Sequence, residues 1–175
     1  MRPREFAAVY DEHVWRVYGF FAYRLHSRQD AEDLTQLTFE RALRAWTTYD
    51  ERRAGVGTWL IAIARNLLVD HLRAAAARIQ GISGEADLEA LPAVADEPRV
   101  GLEPELERAL GELGSREREL IALRFGGDLT GREIAELTGL TLGNVQQILS
   151  RALRRMQESL DGSELQRAAV REPAA

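Results

Sequence analysis

The chain contains no cysteine. That absence excludes a disulfide framework, a thiolate metal centre and a thiol nucleophile. Lysine is missing too, so all 23 basic residues are arginine, the side chain best suited to bidentate phosphate contacts. No apolar run approaches the ~18 residues of a membrane helix. The opening MRPREF carries no apolar signal core, so the expectation is a soluble, cytoplasmic protein with no membrane partner. His13, His26 and His71 are the only histidines, and none sits at metal-ligand spacing such as HExxH. No serine lies in a GxSxG setting. The stretch GGDLTG lacks a following GK[ST] and comes after a helical segment, so it reads as a turn and not a phosphate cradle. These absences predict a protein that is not an enzyme, with no cofactor, no metal and no small-molecule substrate.

What is present is helical periodicity and an uneven charge. The 175 residues are 45% hydrophobic, enough for one medium or two small globular domains. The net charge of −5 is concentrated in the middle. Residues 80–104, QGISGEADLEALPAVADEPRVGLEP, hold six acids against one arginine among glycines and prolines. They predict an extended, self-repelling linker. The expected organisation is therefore a helical domain over 1–79, the linker over 80–104, a second helical domain over 105–160 and a polar tail over 161–175.

Within the first part, Phe6, Val9, Tyr10, Val14, Val17, Tyr18 and Phe21 recur at three- and four-residue steps as one apolar stripe. Ser27 is a candidate N-cap for a helix running through DAEDLTQLTFERALRAW. A polar, glycine-punctuated loop, TTYDERRAGVG, follows. Thr58 is a candidate cap for a third helix, TWLIAIARNLLVDHLRAAAAR. Three such helices with short connections predict a bundle.

Beyond the linker, Pro104 marks a helix start and Ser115 a candidate cap for RERELIALRF, which stops at Gly126-Gly127. Thr130 and Glu133 have capping-box spacing, Gly139 suits a left-handed helix terminus, and Thr141 can cap a last helix from about Leu142 to Leu160. Two helices joined by a short glycine turn describe a helix-turn-helix. Ala135 is small where the helices would cross, and Val145 would plug the angle between them. No acid occurs between Glu136 and Glu158, while Arg151, Arg154 and Arg155 do. That is a local electrostatic footprint for DNA. A plain helical hairpin is the alternative. The predicted fold is all-α: two small helical domains on a flexible acidic linker, the C-terminal one a helix-turn-helix.

DAEDLTQLTF with TWLIAIARNLLVDHLR, followed by LTGREIAELTGLTLGNVQ with SRALRRM, resembles the extracytoplasmic-function (ECF) group of RNA polymerase sigma factors. The resemblance covers roughly residues 5–78 and 105–160, in the family's order. It implies a factor that binds core RNA polymerase and promoter DNA, with an anti-sigma protein as a further partner. It implies a polymerase-binding face at Asp30, Glu32, Asp33, Gln36 and Glu40. It implies minus-ten contacts from Arg52, Arg53, Thr58, Arg65, Asn66 and Arg73. It implies minus-thirty-five contacts from Thr141, Asn144, Gln146, Gln147, Ser150, Arg151, Arg154 and Arg155.

The chain departs from the family pattern where Gln146 replaces a basic residue, Ile148 an arginine and Leu37 an acid. Fewer cations weaken phosphate affinity and flatten its salt dependence by roughly one unit per lost contact. The resemblance also gives the acidic linker an expected use as a nucleic-acid mimic in a basic channel, with a solvated spacer as the alternative. Two further readings stay open at this stage. One is a helix-turn-helix regulator with a sensory N-terminal bundle. The other is an interaction adaptor that does not bind DNA.

Overall fold

The computed structural model describes residues 3–80 and 102–171. Seven α-helices form these two stretches: α1 (Pro3–Ala22), α2 (Arg28–Ala45), α3 (Val56–Gln80), α4 (Pro104–Gly111), α5 (Ser115–Ile121), α6 (Gly131–Thr138) and α7 (Leu142–Arg171). A 3₁₀ turn, Trp46–Thr48, follows α2, and a π-helical turn, Ala122–Gly126, follows α5. No strand occurs among the described residues. The acidic linker lies outside them apart from its ends, where α3 closes at Gln80 and α4 opens at Pro104.

The caps follow local chemistry where nothing competes. The Ser27 hydroxyl accepts the Asp30 N–H. Thr130 and Glu133 form the reciprocal box: the threonine hydroxyl accepts the Glu133 N–H, and the carboxylate accepts the Thr130 N–H at 2.8 Å. Gly139 ends α6 at φ 72°, a conformation that strains any residue with a Cβ. The Thr141 hydroxyl accepts the Asn144 N–H and starts α7.

Three expected boundaries differ. Helix α3 begins at Val56, so Thr58 already lies inside it and its hydroxyl turns to Glu133. Gly114 and not Ser115 precedes α5, with its N–H donated to the Glu117 carboxylate. Helix α7 continues past Leu160 to Arg171, into the segment expected to be a polar tail.

The two halves share one core. Val17, Phe20 and Phe21 of α1 and Leu60, Ile61 and Ala64 of α3 pack in the same buried cluster as Leu120, Leu123, Leu129, Ile134 and Val145 from beyond the linker. A second, smaller cluster closes α4 and α5 on α7 through Ala109, Leu110, Leu113, Ile121, Ala152 and Met156. Two backbones approach closely in the shared seam at a pair of glycines. A Cβ on Gly126 would lie 2.6 Å from the Gly19 carbonyl oxygen and 2.8 Å from the Phe20 Cα. The π turn, in which the Gly127 N–H reaches back five residues to the Ala122 carbonyl, brings Gly126 to that crossing.

Candidate nucleic-acid and protein interfaces

Helix α7 presents one face to the core and one to solvent. Val145 and Ala152 are fully buried in the larger and the smaller cluster, Ile148 is half-buried against the larger and Leu149 against both. Thr141, Asn144, Gln146, Gln147, Ser150, Arg151 and Arg154 are exposed. The amides thus stand near the helix start, with arginines one to two turns further on. Such an arrangement offers hydrogen bonds to base edges first and cations to flanking phosphates next. Arg155 has a different position. It donates to the Glu117 carboxylate at 2.7 Å and to the Glu112 carbonyl at 2.9 Å, clipping α7 to the α4–α5 corner.

Helix α2 carries the expected polymerase face on its outer side. Glu32, Asp33, Gln36 and Glu40 are exposed, and Asp30 is half-buried. Their partners are mostly one turn away on the same helix: Arg28 with Glu32, Gln29 with Asp33, Gln36 with Glu40. Asp30 faces His71 of α3 at 3.7 Å. Exposed pairs at i,i+4 are worth only about 0.3–0.5 kcal/mol, so these side chains can exchange partners freely. Beside them, a groove of about 680 Å³ runs between α1 and α2. Tyr10, Phe39 and Leu43 line it, and Trp15, 77% exposed, stands at its edge. A large aromatic left in water beside an apolar groove is a feature of protein-binding surfaces. The apolar stripe of α1 leaves Trp15 out, but nothing in it marks the ring as part of a binding surface.

The loop after α2 is built on aromatics. Trp46 stacks on Tyr49 at 5.3 Å and Tyr49 contacts Trp59 at 4.9 Å, while the Tyr49 hydroxyl donates to the Ala54 carbonyl. These rings are half-buried structural supports more than free stacking platforms. Arg52 and Arg53 are exposed in the loop beside them, and Asn66 and Arg73 are exposed further along α3. The structure does not leave Thr58 and Arg65 in that company. The Thr58 hydroxyl donates to the Glu133 carboxylate. The Arg65 guanidinium meets the Glu119 carboxylate at 2.8 Å, and Arg116 meets its other oxygen at 2.7 Å. A pocket of about 390 Å³ remains, walled by Tyr49, Arg53 and Trp59 on one side and by Glu133 and Glu136 on the other. Local periodicity carries no sign of Glu119, Glu133, Arg16 and Arg24 as cross-half contacts, because each partner lies far away in sequence.

Burial alone would raise the Glu133 carboxyl. Hydrogen bonds from Thr58 and Thr130, with the Arg16 charge nearby, outweigh it and hold the group below its ordinary value. A carboxyl depressed in the folded state adds stability above its unfolded pKa and loses it as pH falls through the folded one. Thermal melts should therefore show stability falling as pH drops into the acid range below the ordinary carboxylate pKa. Glu133→Gln, which can still complete the capping box, should flatten that slope, and an unchanged slope would place the acid sensitivity elsewhere.

Two family descriptions match the chain: sigma-70 region 2 over residues 9–78 and sigma-70 region 4 over residues 109–158. The chain is 32% identical to the ECF RNA polymerase sigma factor BldN of Streptomyces coelicolor, over 85% of its own length and 58% of that protein. It is 32% identical to the ECF sigma factor RpoE of Cereibacter sphaeroides, covering 89% of this chain and 86% of that one. It is 31% identical to the ECF sigma factor SigK of Mycobacterium ulcerans, with 90% and 87% covered. In fold it is similar to the sigma factor RpoE of Bartonella quintana, solved with the anti-sigma factor NepR, at a TM-score of 0.72 and 23% identity over 90% of this chain and 98% of that one.

Proposed function

The chain belongs to the ECF group of RNA polymerase sigma factors, and we propose that its halves divide promoter recognition between them. As a sigma factor it binds core RNA polymerase and directs promoter recognition and transcription initiation. It is a binding subunit and performs no catalysis of its own. The outer face of α2, with Asp33 and Gln36 at its centre, docks on the polymerase. Acids and amides on an exposed helix are suited to an arginine-bearing partner, and the aromatic groove beside them adds apolar area. The loop before α3, with Arg52 and Arg53, and α3 itself, with Thr58, Arg65, Asn66 and Arg73, hold the melted minus-ten strand. The exposed face of α7 reads the minus-thirty-five duplex. An anti-sigma protein completes the set of partners, by analogy with the Bartonella factor solved with NepR. Among the described residues no helix is long and apolar enough to cross a membrane. The proposed site of action is the cytoplasm, with the polymerase.

The observation that carries this reading is the ordered pair of matches, region 2 then region 4, ending in a helix with an exposed face and no acid from Leu142 to Gln157. Adding the chain to core polymerase on a genomic promoter library should yield specific start sites absent without it. Free DNA binding with no promoter-dependent transcript would sink it in favour of an ordinary helix-turn-helix regulator.

A further inference from the structure

We propose that His13 is a proton-operated release on the seam between the halves: as a neutral ring it leaves Arg16 on the turn after the π helix, and as a charged ring it drives Arg16 off that turn. His13 is 7% exposed, and its Nε2 is buried with no hydrogen-bond partner among the described residues. A buried polar atom without a partner is uncommon and calls for a cause. The Glu12 carboxylate lies 3.8 Å from it, beyond hydrogen-bond length, and stands mostly in solvent.

Arg16, one turn on from His13, is the arm that crosses the seam. Its guanidinium donates to the carbonyls of Gly127 and Asp128. It reaches them over Gly57, in the first turn of α3, where a Cβ would overlap the guanidinium and lie 3.4 Å from the His13 Cε1. Arg16 and His13 are thus confined side by side against one helix start. Like charges at i and i+3 repel, and the positive end of the α3 dipole disfavours a second cation there. Burial pushes the His13 ring below its ordinary value; Glu12 pulls it back up and Arg16 adds to the fall. From α3 the ring meets only the uncharged Gly57 position. From the other half, Glu133 of α6 acts on Arg16, and Asp128 offers its backbone carbonyl.

A ring held below its ordinary value in the closed form takes its proton more readily once the halves part. Acid therefore favours parting, from the ordinary value of 6.5 downward, until the closed form is protonated too. The other two histidines work the opposite way. His26 faces Glu107 at 3.9 Å across the seam and His71 faces Asp30 at 3.7 Å within the first half, so a proton on either adds an attraction. The direction of the acid response separates His13 from His26. Histidine titrates near physiological pH, where ordinary carboxylates keep their charge.

The cysteine-free chain permits a single reporter thiol. Ile61→Cys places it at a fully buried α3 position that packs under Gly127 of the other half. Arg44→Cys, at an exposed position, is the reference. The ratio of their labelling rates at each pH cancels the thiolate's own pH dependence and reads the open fraction. From about pH 7.5 to about pH 5 the ratio should rise, by up to about tenfold per unit below the ordinary histidine value. With His13→Gln added, the ratio should stay flat, whatever its level. Glu12→Gln removes the acid that favours the charged ring and should move the rise to lower pH. Glu133→Gln, at a group that titrates further down, should leave the rise in place.

Circular dichroism at each pH checks that the helices persist. If His13→Gln loses them, Glu12→Gln decides, and an unshifted rise there overturns the release. So does a rise that survives in a folded His13→Gln, or a flat ratio with histidine present. A ratio that falls with acid overturns it too, and hands control to the His26–Glu107 pair. Labelling reads the seam alone. Failure of promoter-dependent transcription would remove the initiation-factor reading and leave the release standing.

Discussion

Phe20→Ala should destabilise both halves together, by about 3–5 kcal/mol. Phe20 is fully buried, and its Cα lies against Gly126 of the opposite half. Truncating it leaves a cavity at the seam, which rigid helices on both sides cannot fill without losing the glycine contact. For a chain of this size the cost corresponds to a drop of roughly ten degrees or more in the melting midpoint. The form of the transition is as informative as its position. All three tryptophans, Trp15, Trp46 and Trp59, lie in the N-terminal half, so their fluorescence follows that half alone. Circular dichroism follows the helices of both. A shared core requires the two midpoints to coincide before and after the mutation. Fluorescence falling early, with a later helical transition left in place, would mean that the halves fold independently.

Phe20 also shows where sequence reasoning stops. The stripe from Phe6 to Phe21 identifies α1, yet it omits Phe20, which is fully buried with its Cα against Gly126 of the second half. A helix buried on two sides loses the single-stripe signature, and a contact across an acidic linker leaves no period to detect. Local chemistry was legible wherever it had no tertiary rival. Ser27, the Thr130–Glu133 box, Gly139 and Thr141 all act where spacing places them. Thr58 does not, because Glu133 accepts its hydroxyl from across the seam. The surface sets divide in the same way. The α2 acids and the α7 amides were readable as solvent-facing positions of amphipathic helices. Arg155 and Arg65 were readable only as cations, and whether a guanidinium is free or already paired is decided by residues such as Glu117 and Glu119, 38 and 54 positions away.

Replacing Gln146 and Gln147 together with alanine should change which promoters are used more than how tightly DNA is held. Both amides are exposed on α7, off the face that buries Val145 and Ala152, so their loss removes no core contact. A bidentate amide–adenine pair is worth about 1–3 kcal/mol of discrimination, roughly ten- to a hundredfold between a matched and a mismatched base. The amides carry no charge, so the salt dependence of duplex binding by the polymerase complex should be unaffected. Arg154→Ala should do the reverse, weakening all sequences alike and lowering the salt slope by about one unit. Sequencing the transcripts from a randomised minus-thirty-five library separates the two. The double alanine variant should lose base preference at the positions under the start of α7, and Arg154→Ala should keep the preference at reduced yield. An unchanged preference in the double variant would move the reading to Arg151 and its neighbours. The residue found where the family carries a cation would then be a spacer, and the weaker phosphate grip of this helix would be its only consequence.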